Sequence, residues 1–352
     1  HLKMKIGIIP NSEDFSRPSD RRKFVRYCEI RKLKFEKAQF TKEYDILYLS
    51  GKTDITRWQN YKNFNNFYNT KIIFDASDPY LSDSKISNVI RSIYYFLSRK
   101  TKYYSLSYSH QFKKMLRVSD VIVCSSVEQK EQISSYNKNI EIIRDYFDDD
   151  IKYQIPFKDI GNKKTLNIFW EGQSHANKSI FIYLRKITEQ VKDYDINLHI
   201  VTDKKYCYLG GQYFCVKTID YLKKIFKESD VIIKFYDWNI DNLILAANKC
   251  DIGLIPIPND KRMQLKPENK LILMWMLGLP VLTSDTESYT RTMREISEEW
   301  ECKNLSDWNI KISKFLKSDI LQKTYKKNVN KFFDENYTSD ILTKKWDSII
   351  LE

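Results

Sequence analysis

The chain has 352 residues, more than one hydrophobic core usually organises, so two domains are expected, and its 42% apolar content is ample for both. No uncharged run approaches the roughly 20 residues a spanning helix needs; the longest, Leu271 to Ser284, is interrupted by Gly278 and Pro280. A formal charge of +13 points to an anionic partner, with nucleic acid, an anionic lipid surface, an acidic substrate or a merely well-solvated surface all open.

Met4 to Pro10 reads as a buried first strand and not as a signal peptide, so a soluble or peripheral protein is expected, in the cytoplasm or at the inner face of the cytoplasmic membrane. Six cysteines, Cys28, Cys124, Cys207, Cys215, Cys250 and Cys302, show no CxxC pairing or matching histidine spacing, which predicts reduced thiols and no zinc site.

Short apolar runs at Lys5 to Ile9, Ile46 to Leu49, Ile72 to Phe74 and Val121 to Cys124 are bounded by turn or charged residues and suit strands buried on both faces of a parallel sheet. Helical periodicity between them, as in Ser87 to Leu97 and Gln129 to Tyr136, gives the alternation of a doubly wound domain. The pattern breaks through Asp148, Asp149, Asp150, Pro156 and Gly161-Asn162, where a linker is expected. It restarts with strands at Leu166 to Trp170, Ile196 to Val201, Val231 to Phe235, Ile252 to Ile255 and Val281 to Thr283, with a helix over Ser179 to Val191. Amphipathic helices over Trp308 to Leu316, Ile320 to Phe333 and Ser339 to Leu351 close the chain without another strand. The division is therefore 1–155, completed by a terminal helix at 337–352, and 156–336.

In open parallel sheets ligands bind beyond the carboxyl ends of the strands, where helix starts present free N–H groups. The stretch Asp251 to Ser284 runs strand, polar loop, helix, Gly278-Leu279-Pro280, strand. Pro267 fits a first helical turn, which puts Glu268, Asn269 and Lys270 at a helix N-terminus. With Lys266 and Lys270 beside it, that start can hold a diphosphate and stabilise its departure without a metal. An ordinary loop with solvated lysines is the alternative on composition alone.

The segment KPENKLILMWMLGLPVLTS resembles the donor site of family 4-like (group 1) GT-B glycosyltransferases, which runs K-x-x-N-K-L, a helix, then L-G-x-P-V and a strand. Lys266, Asn269, Lys270, Leu271, Gly278, Pro280 and Val281 match in order and spacing. The carboxylate that holds the nucleotide ribose in that family falls on Leu273, and Glu268 is the substitute candidate. Ile168 to Ser179, IFWEGQSHANKS, resembles the family's loop opening the second domain: Gly172 admits close approach of a ligand, Gln173 replaces the usual arginine, and Lys178 keeps the lysine. His175 and Asn177 in that loop are further donor-contact candidates. Phe235 to Trp238 stands where the family surrounds the base, with Trp238 available for stacking. In the first half, Lys71 to Tyr80 resembles the strand-end D-x-x-D motif, Asp120 to Ser126 the A-D-x-V-x-x-S strand, and Arg144 to Asp148 the exit into the linker.

The resemblance implies a GT-B α/β fold of two facing Rossmann-like domains with a cleft between them. The donor would be held by the second domain, the acceptor by the first, and a last helix would cross back. It further implies a glycosyltransferase moving a sugar from a nucleotide sugar to a cell-surface glycan, with no cofactor beyond that donor and no metal. Lys270 and Lys178 would grip the diphosphate, and Asp78 would be the base if the reaction inverts. Basic residues interleaved with aromatics from Ser87 to Arg117 suit a membrane surface or lipid-linked acceptor and also single-stranded nucleic acid; the donor-site resemblance favours the first, and core packing of the Tyr and Phe stripes is the alternative. Leu273 and Gln173 motivate a second reading, a non-catalytic GT-B scaffold that binds glycan or a partner enzyme.

Overall fold

The computed structural model describes residues 4–15, 18–77, 80–82, 84–147, 164–173, 178–208, 213–258, 267–296 and 300–351. The chain divides into two compact units: His1–Tyr146 with Leu265–Pro267 and Asn336–Glu352, and Phe147–Gln264 with Glu268–Glu335. The expected linker residues Asp148 to Asn162 lie outside the described residues.

The first unit holds a six-stranded parallel sheet of β1 (Ile6–Ile9), β2 (Phe35–Lys37), β3 (Ile46–Leu49), β4 (Lys71–Asp75), β5 (Val121–Cys124) and β6 (Ile140–Ile142), in the order β2-β1-β3-β4-β5-β6. Successive side chains of a strand point to opposite faces, so each apolar run serves two cores. Leu47, Leu49, Ile72, Phe74 and Ile122 enter one, with Trp58, Tyr61, Phe112 and Met115. Ile46, Tyr48, Ile73, Val121 and Val123 enter the other, with Phe24 and Tyr27.

The helix Ser339–Ile350 covers that second core. Its Trp346 ring lies 5.2 Å from Phe24 and 5.9 Å from Tyr27, and the Tyr146 and Thr343 hydroxyls meet at 3.0 Å.

The second unit contains β7 (Thr165–Glu171), β8 (Asp195–Thr202), the antiparallel hairpin β9 (Lys205–Tyr208) and β10 (Tyr213–Lys217), then β11 (Ile232–Asp237), β12 (Ile252–Ile255), β13 (Val281–Ser284) and β14 (Glu301–Cys302). Its parallel sheet runs β11-β8-β7-β12-β13-β14. Leaving the hairpin aside, this is the 3-2-1-4-5-6 order of a dinucleotide-type sheet, whose direction of winding reverses between β7 and β12. β2, β6, β9, β10 and β14 are strands the sequence pattern does not announce.

The hairpin corrects the expectation of six reduced thiols. Cys207 and Cys215 stand directly opposite on neighbouring strands and form a disulfide. Eight residues of separation carry no CxxC signal, and only the hairpin register brings the pair together. Cys28, Cys124, Cys250 and Cys302 are buried thiols, and burial pushes Cys28, Cys124 and Cys302 up to about 12. Alkylation of the folded protein should therefore label no cysteine before mild reduction and only Cys207 and Cys215 after it, as read by peptide mass spectrometry; labelling without reduction would show the pair open.

Candidate functional site

The winding reversal between β7 and β12 leaves a crevice at their carboxyl ends, and the chemistry-bearing segments of the second unit converge there. β7 ends at Glu171, and Gly172 follows with a φ of +152°, which L side chains rarely adopt. Its N–H donates to Val201 O at 3.1 Å. Its carbonyl accepts from the Thr202 hydroxyl at 2.5 Å, and Thr202 O in turn accepts from the Trp238 N–H at 3.0 Å. Buried Thr202 thus ties the turn after β7 to the turn after β11, which places half-buried Trp238 on the same edge of the sheet as Gly172.

The helix Asn269–Met276 starts at that edge. It begins two residues after Pro267, with Glu268 as its N-cap, so proline precedes the first turn instead of occupying it. Its end explains the L-G-x-P-V spelling. Gly278, at φ +75°, donates to Trp275 O at 2.9 Å and Leu279 donates to Met274 O at 3.1 Å, a Schellman closure that turns the chain through Pro280 into β13. The buried Tyr325 hydroxyl accepts from Trp275 Nε1 at 2.7 Å and Val281 N at 3.1 Å and donates to Val281 O, fixing helix and strand together.

Lys270, in the first turn, reaches back to β7. Its Nζ donates to Glu171 O at 2.6 Å, lies 3.8 Å from Glu171 Oε1 and sits 4.9 Å from the Trp170 ring centre. A Cβ on residue 172 would fall 2.7 Å from that ammonium and 3.1 Å from the Trp170 ring, so the missing side chain leaves that space to Lys270 and Trp170. The Lys270 side chain as a whole remains 24% exposed.

Glu268 is arranged differently from the expectation. Its side chain is 1% exposed and faces Arg291, whose Nη2 lies 3.5 Å from both carboxylate oxygens. In this arrangement the carboxylate is directed into the protein, onto Arg291. Burial, reinforced by Glu268 and then Glu171, holds the adjacent Tyr289 hydroxyl well above its ordinary range. Leu273, at the position of the missing ribose carboxylate, packs into the core.

Gln173 is exposed. Lys178 opens the helix Lys178–Thr188, although its side chain is outside the described set, as are residues Asp78, His175, Asn177 and Lys266 altogether. A cavity of 580 Å³ opens on the same carboxyl edge, beside Tyr183, Lys186, Ile257, Ser284, Asp285 and Lys303. Glu171, Thr202, Tyr289 and Arg291 are members of the site that sequence reading misses. Glu171 alone carried a signal, as the residue between Trp170 and Gly172.

No family model matches the sequence, and no curated protein sequence matches it. Solved structures do. The chain superposes on HepE of Anabaena, solved in complex with UDP, with a TM-score of 0.61 and 11% identity, covering 99% of this chain and 100% of that one. For WaaG, a glycosyltransferase involved in lipopolysaccharide biosynthesis, the TM-score is 0.56 at 14% identity, over 99% of each chain. TarM gives 0.56 at 11% identity, over 87% of this chain and 55% of its own. At such identities the likeness is one of fold: this is an α/β chain of two Rossmann-like units with the GT-B architecture.

Proposed function

We propose that the chain is a glycosyltransferase that binds a nucleotide sugar at the β7/β12 switch point and transfers the sugar to a cell-surface glycan. The meeting of Gly172 with Lys270 carries this reading: a cation and a helix N-terminus share the crevice where sheets of this winding order take phosphorylated ligands. The Lys270 ammonium and the N–H groups at Asn269 and Lys270 stabilise the charge that builds on the diphosphate as the glycosidic bond breaks. Trp238, held at the same edge through Thr202, offers a ring to the base, and Lys178 at the start of the neighbouring helix supplies a second cation. Asp78 is the proton acceptor if configuration inverts. The glycan acceptor is an analogy to WaaG, which acts in lipopolysaccharide synthesis.

A second reading, a GT-B scaffold that binds glycan or a partner enzyme without turnover, is favoured by Leu273 in the core and by Glu268 facing Arg291. Thermal melting with UDP, GDP, CMP, ADP and dTDP and their sugars separates the two. A ligand of the folded state raises the melting temperature, by RT ln(1 + [L]/Kd) in free energy, about 2.7 kcal/mol at a hundredfold excess over Kd. UDP heads the panel because HepE was solved with it. A shift with one nucleotide that survives EDTA supports the metal-independent donor site, and a flat panel supports the scaffold.

A further inference from the structure

The helix Lys85–Leu97 of the first unit is built inside out. Asn88, Ser92 and Tyr95 recur at helical spacing on the face that meets the protein, and Asn88 and Ser92 are each only 5% exposed. The opposite face carries Ile86, Ile90, Ile93 and Leu97, at steps of four, three and four, with Ile86 73% and Leu97 74% exposed. A helix on a water-facing surface normally turns its apolar stripe to the core and its polar residues outward. Here that order is reversed along about 16 Å of helix. The exposed residues are contiguous and not scattered singly, which is the arrangement that marks a docking face.

Charge identifies the occupant. From residue 84 to residue 119 the sequence has eight Lys and Arg and no Asp or Glu. Lys85, Arg99, Lys100 and Lys102 are exposed around the stripe. Lys100 Nζ lies 4.8 Å from the Tyr94 ring centre and Lys102 Nζ 5.5 Å from that of Tyr103, while Phe96 and Tyr104 meet edge to face at 5.5 Å. Aliphatic side chains flanked by aromatics, two of whose rings lie beside ammonium groups, match the layered chemistry of an acyl boundary under anionic headgroups. A second copy would bring the same cluster of cations together. Single-stranded nucleic acid stacks on aromatic faces, and the centre of this stripe has none.

We propose that this face docks on an anionic lipid bilayer, with Ile86, Ile90, Ile93 and Leu97 entering the acyl boundary and Lys85, Arg99, Lys100 and Lys102 at the phosphate level. The test is flotation with phosphatidylcholine vesicles, with and without phosphatidylglycerol; no nucleotide is added, so the result is independent of the donor reading. The protein should float with the phosphatidylglycerol vesicles. Ile90→Ser with Ile93→Ser, which leaves the charge unchanged, should lower the bound fraction about tenfold or more. Arg99→Gln with Lys100→Gln should lower it roughly tenfold and weaken its dependence on the anionic lipid. All four positions are exposed, so the variants should keep the parent melting temperature, checked by circular dichroism. The proposal is overturned if the parent does not float or if the isoleucine variant floats equally well. It is also overturned if the stripe serves a concentration-dependent dimer, or retains a single-stranded oligonucleotide, in place of vesicles.

Discussion

Lys270→Ala is expected to lower turnover of the nucleotide sugar by about 100- to 1000-fold, the cost of removing one preorganised charge from a site where anionic charge develops. The readout is release of nucleoside diphosphate. Because the ammonium is aimed at charge that grows in the transition state, kcat and kcat/KM should fall together, whereas a merely binding role would raise KM alone. The melting temperature should move little, since the side chain is partly exposed and its contacts are the Glu171 carbonyl and carboxylate and the Trp170 ring. Gly172→Ala should imitate part of the loss with the lysine still present, because the backbone there stands at φ +152°, which strains any L side chain, and the new Cβ displaces the ammonium from its place 2.7 Å away. Full turnover in the Lys270 variant would remove the diphosphate assignment, and normal turnover in the Gly172 variant would show that the contact between the segments is dispensable.

The fold and the candidate site differ in how openly the sequence displays them. Ile46–Leu49, Val121–Cys124 and Ile252–Ile255 have the bounds their apolar runs predict, because strands buried on both faces are apolar at every position. Phe35–Lys37, Ile140–Ile142 and Glu301–Cys302 are two or three residues long, and each lies at a sheet edge, too short for a period to register. The Gly172 and Lys270 segments were visible as motifs, although their meeting was not, since it depends on the adjacency of β7 and β12. Glu268 shows the opposite case. Its place beside Lys270 suggested a ligand contact, yet the direction of its side chain is set by Arg291, which the sequence gives no reason to bring there.

Asp75 is a similar case, and a sharper one. In the motif Lys71 to Tyr80 it is the first acidic residue of D-x-x-D, but in the folded unit it is 3% exposed and accepts two bonds from Lys23 Nζ, at 3.0 and 2.8 Å, and one from the Tyr48 hydroxyl at 3.0 Å. Lys23 Nζ also donates to Ser77 Oγ at 2.5 Å and lies 4.0 Å from half-buried Asp145. One buried cation therefore answers two carboxylates. Lys23→Met keeps much of the stem's packing and removes the charge, and should destabilise the unit by about 3–5 kcal/mol at neutral pH, the usual cost of leaving a buried ion without its partner. The pH dependence fixes the cause. Burial, helped by Asp75, raises the Asp145 pKa above its ordinary value while Lys23, and after it Arg22, pull it down. A carboxyl whose folded pKa is raised contributes stability that is complete below its unfolded pKa and is lost as pH rises through the folded one. Without Lys23 that folded pKa climbs further, so urea denaturation should show the variant regaining part of its deficit between neutral pH and about pH 5. Adding Asp75→Asn should restore part of the loss at pH 7. A pH-independent deficit, or no rescue, would mean that Lys23 stabilises the end of β4 through packing and its bond to Ser77, with the two carboxylates incidental to it.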